Sequence, residues 1–256
     1  MKKRKISDAV VRRLPRYYRY LDDLHSKGIV RISSSLLGER MGITASQIRQ
    51  DFNCFGGFGQ QGYGYNVSQL CGEIEKILGI QKRHPCILVG AGNLGKAIAR
   101  HMPFEQLGFT LIGVFDTAPN VIGGKISGHE ILDYAGIQAF YQENSPLMAI
   151  LCIPQVYVEA VSDELYRLGI RSFWNFSHYD ITMKHPDAIV ENVHLGDSLM
   201  TLCYQINNRE EPSLPERTPC SVKTFWRNGS SGHSSLFSFP PFFRIWFKIS
   251  AFRSNW

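Results

Sequence analysis

An α/β fold in two unlike parts is what this sequence predicts, and three observations carry the prediction. Residues 1–65 hold 12 Lys/Arg against 5 Asp/Glu and read as short helical segments broken by glycine. From Cys86 onward, short apolar runs alternate with helical stretches, as in a parallel sheet covered by helices. The first of those runs ends in Gly90-Ala91-Gly92-Asn93-Leu94-Gly95, the Gly-x-Gly-x-x-Gly spacing of a strand–turn–helix that cradles a pyrophosphate.

With 256 residues and 44% apolar content the chain is long enough for two domains with their own cores. Its formal charge of +6 is unevenly spread. Residues 1–65 carry +7, residues 66–208 carry −5 (9 Lys/Arg, 14 Asp/Glu), and residues 209–256 carry +4 (7 against 3). A basic head on an acidic body suits a partner that bears phosphates; a solvated cationic face is the plainer explanation. The six cysteines are scattered without a Cys-x-x-Cys pair, so neither a zinc site nor a disulfide framework is expected, and no metal site is assigned. Lys2 to Lys5 resemble the start of a signal peptide, but no apolar segment follows them. No stretch reaches the length of a membrane helix. A cytoplasmic location without membrane attachment is therefore expected.

In the head, Ser7 is a candidate cap for a short helix with Ala9, Val10 and Leu14 inward, and Pro15 is expected to interrupt or restart it. Tyr17, Tyr20, Leu21 and Leu24 recur at helical spacing, and Gly28 ends that segment. Residues 34–41 form a second short helix closed by Gly42. Thr44 is the expected N-cap of a third, Ala45 to Phe55. On it Ile48, Phe52 and Phe55 face the core, and Ser46, Arg49, Gln50 and Asn53 face outward. A short helix, a glycine turn and a polar-faced helix make a helix-turn-helix pattern. Arg and Gln are the side chains that can make two hydrogen bonds to a guanine or adenine edge. An ordinary three-helix bundle with a polar surface is the alternative. The stretch from Phe55 to Tyr65, with five glycines among aromatics, then reads as a wing. Candidate DNA contacts are thus Ser46, Gln47, Arg49 and Gln50 on the third helix and Gly62 and Tyr63 in the hairpin.

Residues 66–83 read as a linking helix with Val67, Leu70, Ile74, Ile77 and Leu78 on one face. Apolar runs at 86–89, 109–115, 147–153 and 170–174 then alternate with helical segments at 94–102, around 130–142 and 155–168. Residues 187–194 are a candidate edge strand and 195–207 a last helix. In the glycine motif, Gly90 permits the tight turn, Gly92 the approach of a pyrophosphate and Gly95 close helix–strand packing. The helix from Asn93 offers unpaired amides and its positive end. Asp116 closes the second strand, where a carboxylate accepts from both ribose hydroxyls of an adenosine. It also repels a 2′-phosphate, and no Arg or Lys follows before Lys125, which favours NAD(H) over NADP(H).

Beyond that strand the patterned chain looks committed to completing the sheet, with no separate substrate domain and no Ser/His/Asp constellation. No catalytic residue is assigned. An NAD-dependent oxidoreductase with a basic N-terminal appendage is the alternative to a DNA-binding sensor.

Several segments occur together and in order: Arg13-Leu14-Pro15-Arg16-Tyr17-Tyr18-Arg19-Tyr20-Leu21, Arg31-Ile32-Ser33-Ser34, Ser46-Gln47-Ile48-Arg49-Gln50-Asp51, Phe55-Gly56-Gly57-Phe58-Gly59, Gly62-Tyr63-Gly64-Tyr65-Asn66-Val67, Val89 to Gly95, Asn175-Phe176 and Glu191-Asn192-Val193-His194-Leu195. In combination they closely resemble the bacterial redox-sensing repressors of the Rex family, over roughly residues 5–208. The resemblance implies an N-terminal winged helix-turn-helix domain and a C-terminal Rossmann domain whose last helix, here 195–207, swaps into the other subunit of a homodimer. It implies NADH and NAD+ as effectors, double-stranded inverted-repeat operators as the partner, release from DNA by NADH, and no enzyme activity. It places Gly90, Ala91, Gly92, Asn93, Leu94, Gly95, Asp116 and Pro154 at the cofactor, and Arg19, His101 and His194 in a polar link between head, pocket and swapped helix. The chain departs from the family where Asn175-Phe176-Ser177-His178 stands for Asn-Phe-Ala-Pro, where Val158-Glu159 stands for Ala-Gln, and where His101 takes the place of a Tyr.

The expected division is a winged-helix domain with linking helix over 1–83, a nucleotide-binding domain over 84–208, and an atypical, unstructured tail over 209–256. That tail is rich in Ser and Phe, holds three of the four Trp, and is an aggregation liability if its aromatics are exposed.

Overall fold

The first helix, α1 (Asp8–Ser26), runs unbroken through Pro15. The sequence expectation of an interruption there is corrected by packing. Val10, Leu14, Tyr17, Leu21 and Leu24 are buried along one stripe of the helix, whereas Pro15 lies on its exposed side. A mid-helix proline costs about 3 kcal/mol; Val11, whose carbonyl loses its amide partner, is 41% exposed. The structure, a computed structural model, describes residues 6–56, 59–60 and 63–208, with backbone alone at 59 and 60. The tail and Gly62 lie outside the described residues.

After α1 come β1 (Arg31–Ile32), α2 (Ser34–Met41), α3 (Ala45–Asn53), β2 (Gly59–Gln60), β3 (Gly64–Asn66) and α4 (Val67–Leu78). The predicted cap of α3 is present: the Thr44 hydroxyl accepts from the Gln47 amide at 3.1 Å. The helix ends two residues before Phe55, through backbone bonds from Cys54 and Phe55 to Asp51 and Phe52. Gly42 closes α2 in the left-handed conformation at φ 67°. Strand β3 pairs antiparallel with both β1 and β2. The wing is therefore three-stranded, its short third strand β1 too brief to carry a period. One core joins Leu14, Tyr17 and Leu21 of α1 to Leu37 and Met41 of α2, Ile48 and Phe52 of α3, and Leu70 and Ile74 of α4.

The body is a seven-stranded sheet in the order β10-β9-β8-β4-β5-β7-β6. Its elements are β4 (His84–Val89), α5 (Asn93–His101), β5 (Phe109–Asp116), β6 (Lys125–Ile126), β7 (His129–Asp133), α6 (Ile137–Asn144), β8 (Met148–Leu151), α7 (Gln155–Leu168), β9 (Ser172–Asn175), β10 (Ile189–Asn192) and α8 (Leu195–Asn207). All pairings are parallel except β6 with β7. The helix expected around 130–142 is a helix only from Ile137; its first part is β7, because Ile131 and Leu132 pair with Val114 and Phe115 of β5. A short apolar run does not show by periodicity which of the two it forms.

Alternate residues of β4 feed two cores. Cys86 and Leu88 pack with Ile98 and Ala99 of α5, while Ile87 and Val89 pack with Ile137 of α6 and Val158 and Leu165 of α7. The chain leaves β4 toward β5 on one side and later returns to β8 on the other. The carboxyl end of β4 is thus the point where strand order reverses, the place open α/β sheets reserve for ligands.

Candidate functional site

At that reversal point Gly90 follows β4 with φ 100°, and a Cβ there would lie 2.5 Å from the Cys152 carbonyl oxygen and 2.8 Å from Ile153. The glycine turn is therefore pressed against the segment that leads through Pro154, the residue before α7, out of β8. A Cβ on Gly95 would run into the Gly90 carbonyl. Gly92 differs: nothing stands within 4 Å of where its Cβ would be. Two of the three glycines are required by the protein's own packing, and the middle one keeps space open. Gly92 also precedes α5 without supplying a side-chain cap. The first-turn amides of α5 thus face that space with the positive end of the helix, a ready cradle for a pyrophosphate. Asn93 and Leu94, in that turn, are exposed, and Ala91 is buried.

Asp116 ends β5 beside the turn. Its Oδ2 accepts from the Ala91 amide at 2.6 Å and its Oδ1 from the Ala118 amide at 2.8 Å. The carboxylate is thereby fixed at the rim of the cradle, with lone pairs left for ribose hydroxyls. These residues fit an adenine dinucleotide: glycine space and helix amides for the diphosphate, a carboxylate for the ribose. Burial pushes the thiols of Cys86 and Cys152 up to about 12, so both remain protonated.

In the head, Ser46, Arg49 and Gln50 are exposed on α3, and Gln47 is half-buried. Arg49 Nη1 donates to Ser34 Oγ at 3.0 Å, which braces the guanidinium against α2. Tyr63 is 69% exposed; Arg31 Nη1 donates to its carbonyl at 3.3 Å and the guanidinium lies 5.9 Å from its ring centroid.

The residue sequence reasoning missed is Asp51, a carboxylate on the core side of α3 with 0% exposure. It accepts from Arg13 Nε at 2.7 Å and Nη2 at 2.8 Å, from the Tyr17 hydroxyl at 2.7 Å and from Gln47 Nε2 at 2.8 Å. Burial opposes its ionisation, but the bonds from Arg13, Tyr17 and Gln47 outweigh that and hold the carboxyl below its ordinary range. The available signal was a lone acid between Ile48 and Phe52 on an apolar face.

The three residues expected to link head and body are not joined to one another by any hydrogen bond or ion pair among the described residues. Arg19 is exposed on α1 and His101 is the exposed last residue of α5. His194 stands just before α8, its carbonyl accepting from the Asp197 amide at 3.1 Å. Its ring stacks on that of His178, centroids 4.8 Å apart and planes 8° from parallel. His178 lies where the chain departs from the family pattern. Among the described residues, an ion pair between head and sheet joins Arg12 of α1 to Glu191 of β10, at 3.6 Å.

Comparison with known proteins fits this geometry. The family described as "Putative DNA-binding protein N-terminus" matches residues 5–53, and that described as "CoA binding domain" matches residues 81–179. The redox-sensing transcriptional repressor Rex of Thermoanaerobacter pseudethanolicus is 51% identical over 209 residues, spanning 82% of this chain and 93% of its own. That of Clostridium beijerinckii is 48% identical over 210 residues, spanning 82% and 99%. Among solved structures, RSP in complex with β-NAD+ and operator DNA aligns at TM-score 0.74 and 50% identity, over 79% of this chain and 93% of RSP. RSP in complex with β-NADH aligns at 0.73 and 48% identity, over 79% and 94%. No described helix is long and apolar enough to cross a membrane.

Proposed function

The chain belongs to the Rex family of redox-sensing transcriptional repressors, and from that premise we propose that its grip on operator DNA is set by whether NADH or NAD+ occupies the Rossmann cradle. The observation that carries the reading is the end of β4, where open space at Gly92, the uncapped start of α5 and the fixed carboxylate of Asp116 converge. Gly90 to Gly95, Asp116 and Pro154 form the cofactor site. The match to a CoA-binding family bears on the fold more than on the ligand. CoA carries a 3′-phosphate on its adenosine ribose, as NADP carries a 2′-phosphate, and Asp116 disfavours both beside that ribose. The redox input is the nicotinamide ring: neutral when reduced, cationic when oxidised.

A switch needs two arrangements that the two ligands bind unequally. The second arrangement is supplied by a homodimer. Helix α8 buries none of its residues, and Leu195, Leu199, Met200, Leu202, Tyr204 and Ile206 are each at least half exposed. Such a helix calls for a cover, and a second subunit that receives it beside the nicotinamide supplies one. The paired heads then read an inverted repeat through Ser46, Gln47, Arg49 and Gln50, with Gly62 and Tyr63 of the wing on the flanking backbone. Arg19, His101 and His194 relay the state of the pocket to the heads. The head and linking helix comprise residues 1–83 and the nucleotide domain 84–208, acting in the cytoplasm; residues 209–256 are dispensable for both ligands.

The test is fluorescence anisotropy of an inverted-repeat duplex with NADH and NAD+ titrated separately at one salt concentration, since phosphate contacts make affinity steeply salt-dependent. Release by NADH and not by NAD+ is expected. DNA binding indifferent to both nucleotides would sink the sensor reading.

A further inference from the structure

Gln47 sits in the first turn of α3, the end of a recognition helix that approaches base edges. An amide side chain there can present either its oxygen or its NH2, and the two presentations read different bases. Here the choice is settled from behind. An ionised carboxylate only accepts, so the atom 2.8 Å from Asp51 Oδ1 must be the nitrogen of Gln47. The same Oδ1 also takes Arg13 Nη2, while Oδ2 takes Arg13 Nε and the Tyr17 hydroxyl. Asp51 is thus pinned by α1 before it engages Gln47. By the geometry of a planar amide, Oε1 is then turned away from Asp51. No described hydrogen bond engages that oxygen. Arg49, occupied with Ser34, does not compete for the carboxylate.

We infer that Asp51 fixes Gln47 as an acceptor-outward reader of a base carrying an exocyclic amino group in the major groove, adenine ahead of cytosine. The inference rests on the proposal that α3 reads DNA. Adenine offers N6–H to Oε1 and N7 to the second amide hydrogen of Gln47; cytosine offers only its N4–H. Guanine and thymine place O6 and O4 there, oxygen against oxygen. Asp51 touches no base in this scheme. It is a positioning residue, and Gln47 is the specificity determinant.

The experiment is in vitro selection with the full chain from duplexes randomised across an inverted repeat, run for the wild type, Gln47→Met and Asp51→Asn. One position in each half-site should favour adenine over guanine and thymine by roughly tenfold, the scale of one good base contact. Gln47→Met should flatten that position and spare the others. Asp51→Asn, whose own amide accepts or donates, lets Gln47 turn over, so guanine and thymine should recover to within about threefold of adenine. An Asp51 with only a structural role would weaken every sequence alike and leave the preferences unchanged, which would overturn the lock. A position erased by Gln47→Met that selects guanine or thymine in the wild type would overturn it too, even if Asp51→Asn fails to fold. No selected motif from the wild type would instead bring down the DNA-reading proposal beneath it.

Discussion

At the end of β4 the proposed ligand surface is made of backbone: Gly90 in a left-handed turn, open space at Gly92, and amides at the start of α5. On α3 the proposed ligand surface is made of side chains, and what holds them comes from far along the chain. Arg13 reaches Asp51 across 38 residues and Tyr17 across 34. The two surfaces fail differently. A backbone cradle is broken by adding an atom, because at Gly90 and Gly95 there is no room for one. A side-chain network is broken by removing a partner, because a buried charge is left behind. The head therefore depends on a favourable interaction being present, and the cradle on an unfavourable one being absent.

The largest effect should come from removing the head's partner. Arg13→Ala leaves Asp51 buried with only Tyr17 and Gln47. Breaking a fully buried pair costs about 3–5 kcal/mol, and because the Arg13 side chain is 33% exposed we expect about 2–4 kcal/mol. Hydrogen exchange of α1 and α3 amides reads this locally, and protection equal to the wild type would refute it. Acid should act on the same network. The folded-state pKa of Asp51 is depressed, so its contribution is fully present above the ordinary carboxyl value of about 3.9 and is lost as pH falls through the lower folded value. Asp51→Asn should remove this part of the acid sensitivity.

Adding an atom to the cradle comes next. In Gly95→Ala the new methyl meets the Gly90 carbonyl, a backbone atom that has no rotamer to escape into. Helix α5 must shift off β4, an overpacking cost of about 1–3 kcal/mol. NADH affinity should fall by more than tenfold while the protection of α1 and α3 stays as it was. The same substitution at Gly92 meets nothing in the protein and should spare stability while lowering NADH affinity. Wild-type NADH binding by Gly92→Ala would show that the diphosphate does not approach there.

The contrast also explains what could be read from the residues. A backbone device leaves a mark at fixed spacing, so Gly90, Gly92, Gly95 and Asp116 were legible, as were the caps at Thr44 and Gly42. The two faces of α3, Ile48 and Phe52 buried and Ser46, Arg49 and Gln50 exposed, were legible from the polarity of their residues. Asp51 was not, because its partners are distant in sequence and spacing along α3 says nothing of α1. The run through Pro15 and the strand at 129–133 were misread for a related reason. In both, tertiary contacts outweigh local preference: the buried stripe of α1 and the pairing of β7 with β5. His178 and His194, 16 residues apart, form their stack across two strand ends, which no period in the sequence announces.

The smallest effect should come where the two regions meet. Arg12 and Glu191 lie 3.6 Å apart with side chains 74% and 63% exposed. An ion pair so hydrated is worth about 0–1 kcal/mol and is screened by salt. A double-mutant cycle on Arg12→Ala and Glu191→Ala should therefore return a coupling below about 1 kcal/mol in stability, vanishing at high salt. The informative measurement is the same cycle on operator release by NADH. If head and body are coupled through the dimer and α8, that coupling should also be near zero. A coupling for release well above the one for stability would mean that the head is latched to β10 within a single subunit. The contact at Arg12 would then join the two kinds of site, side-chain in the head and backbone in the body, in one switch.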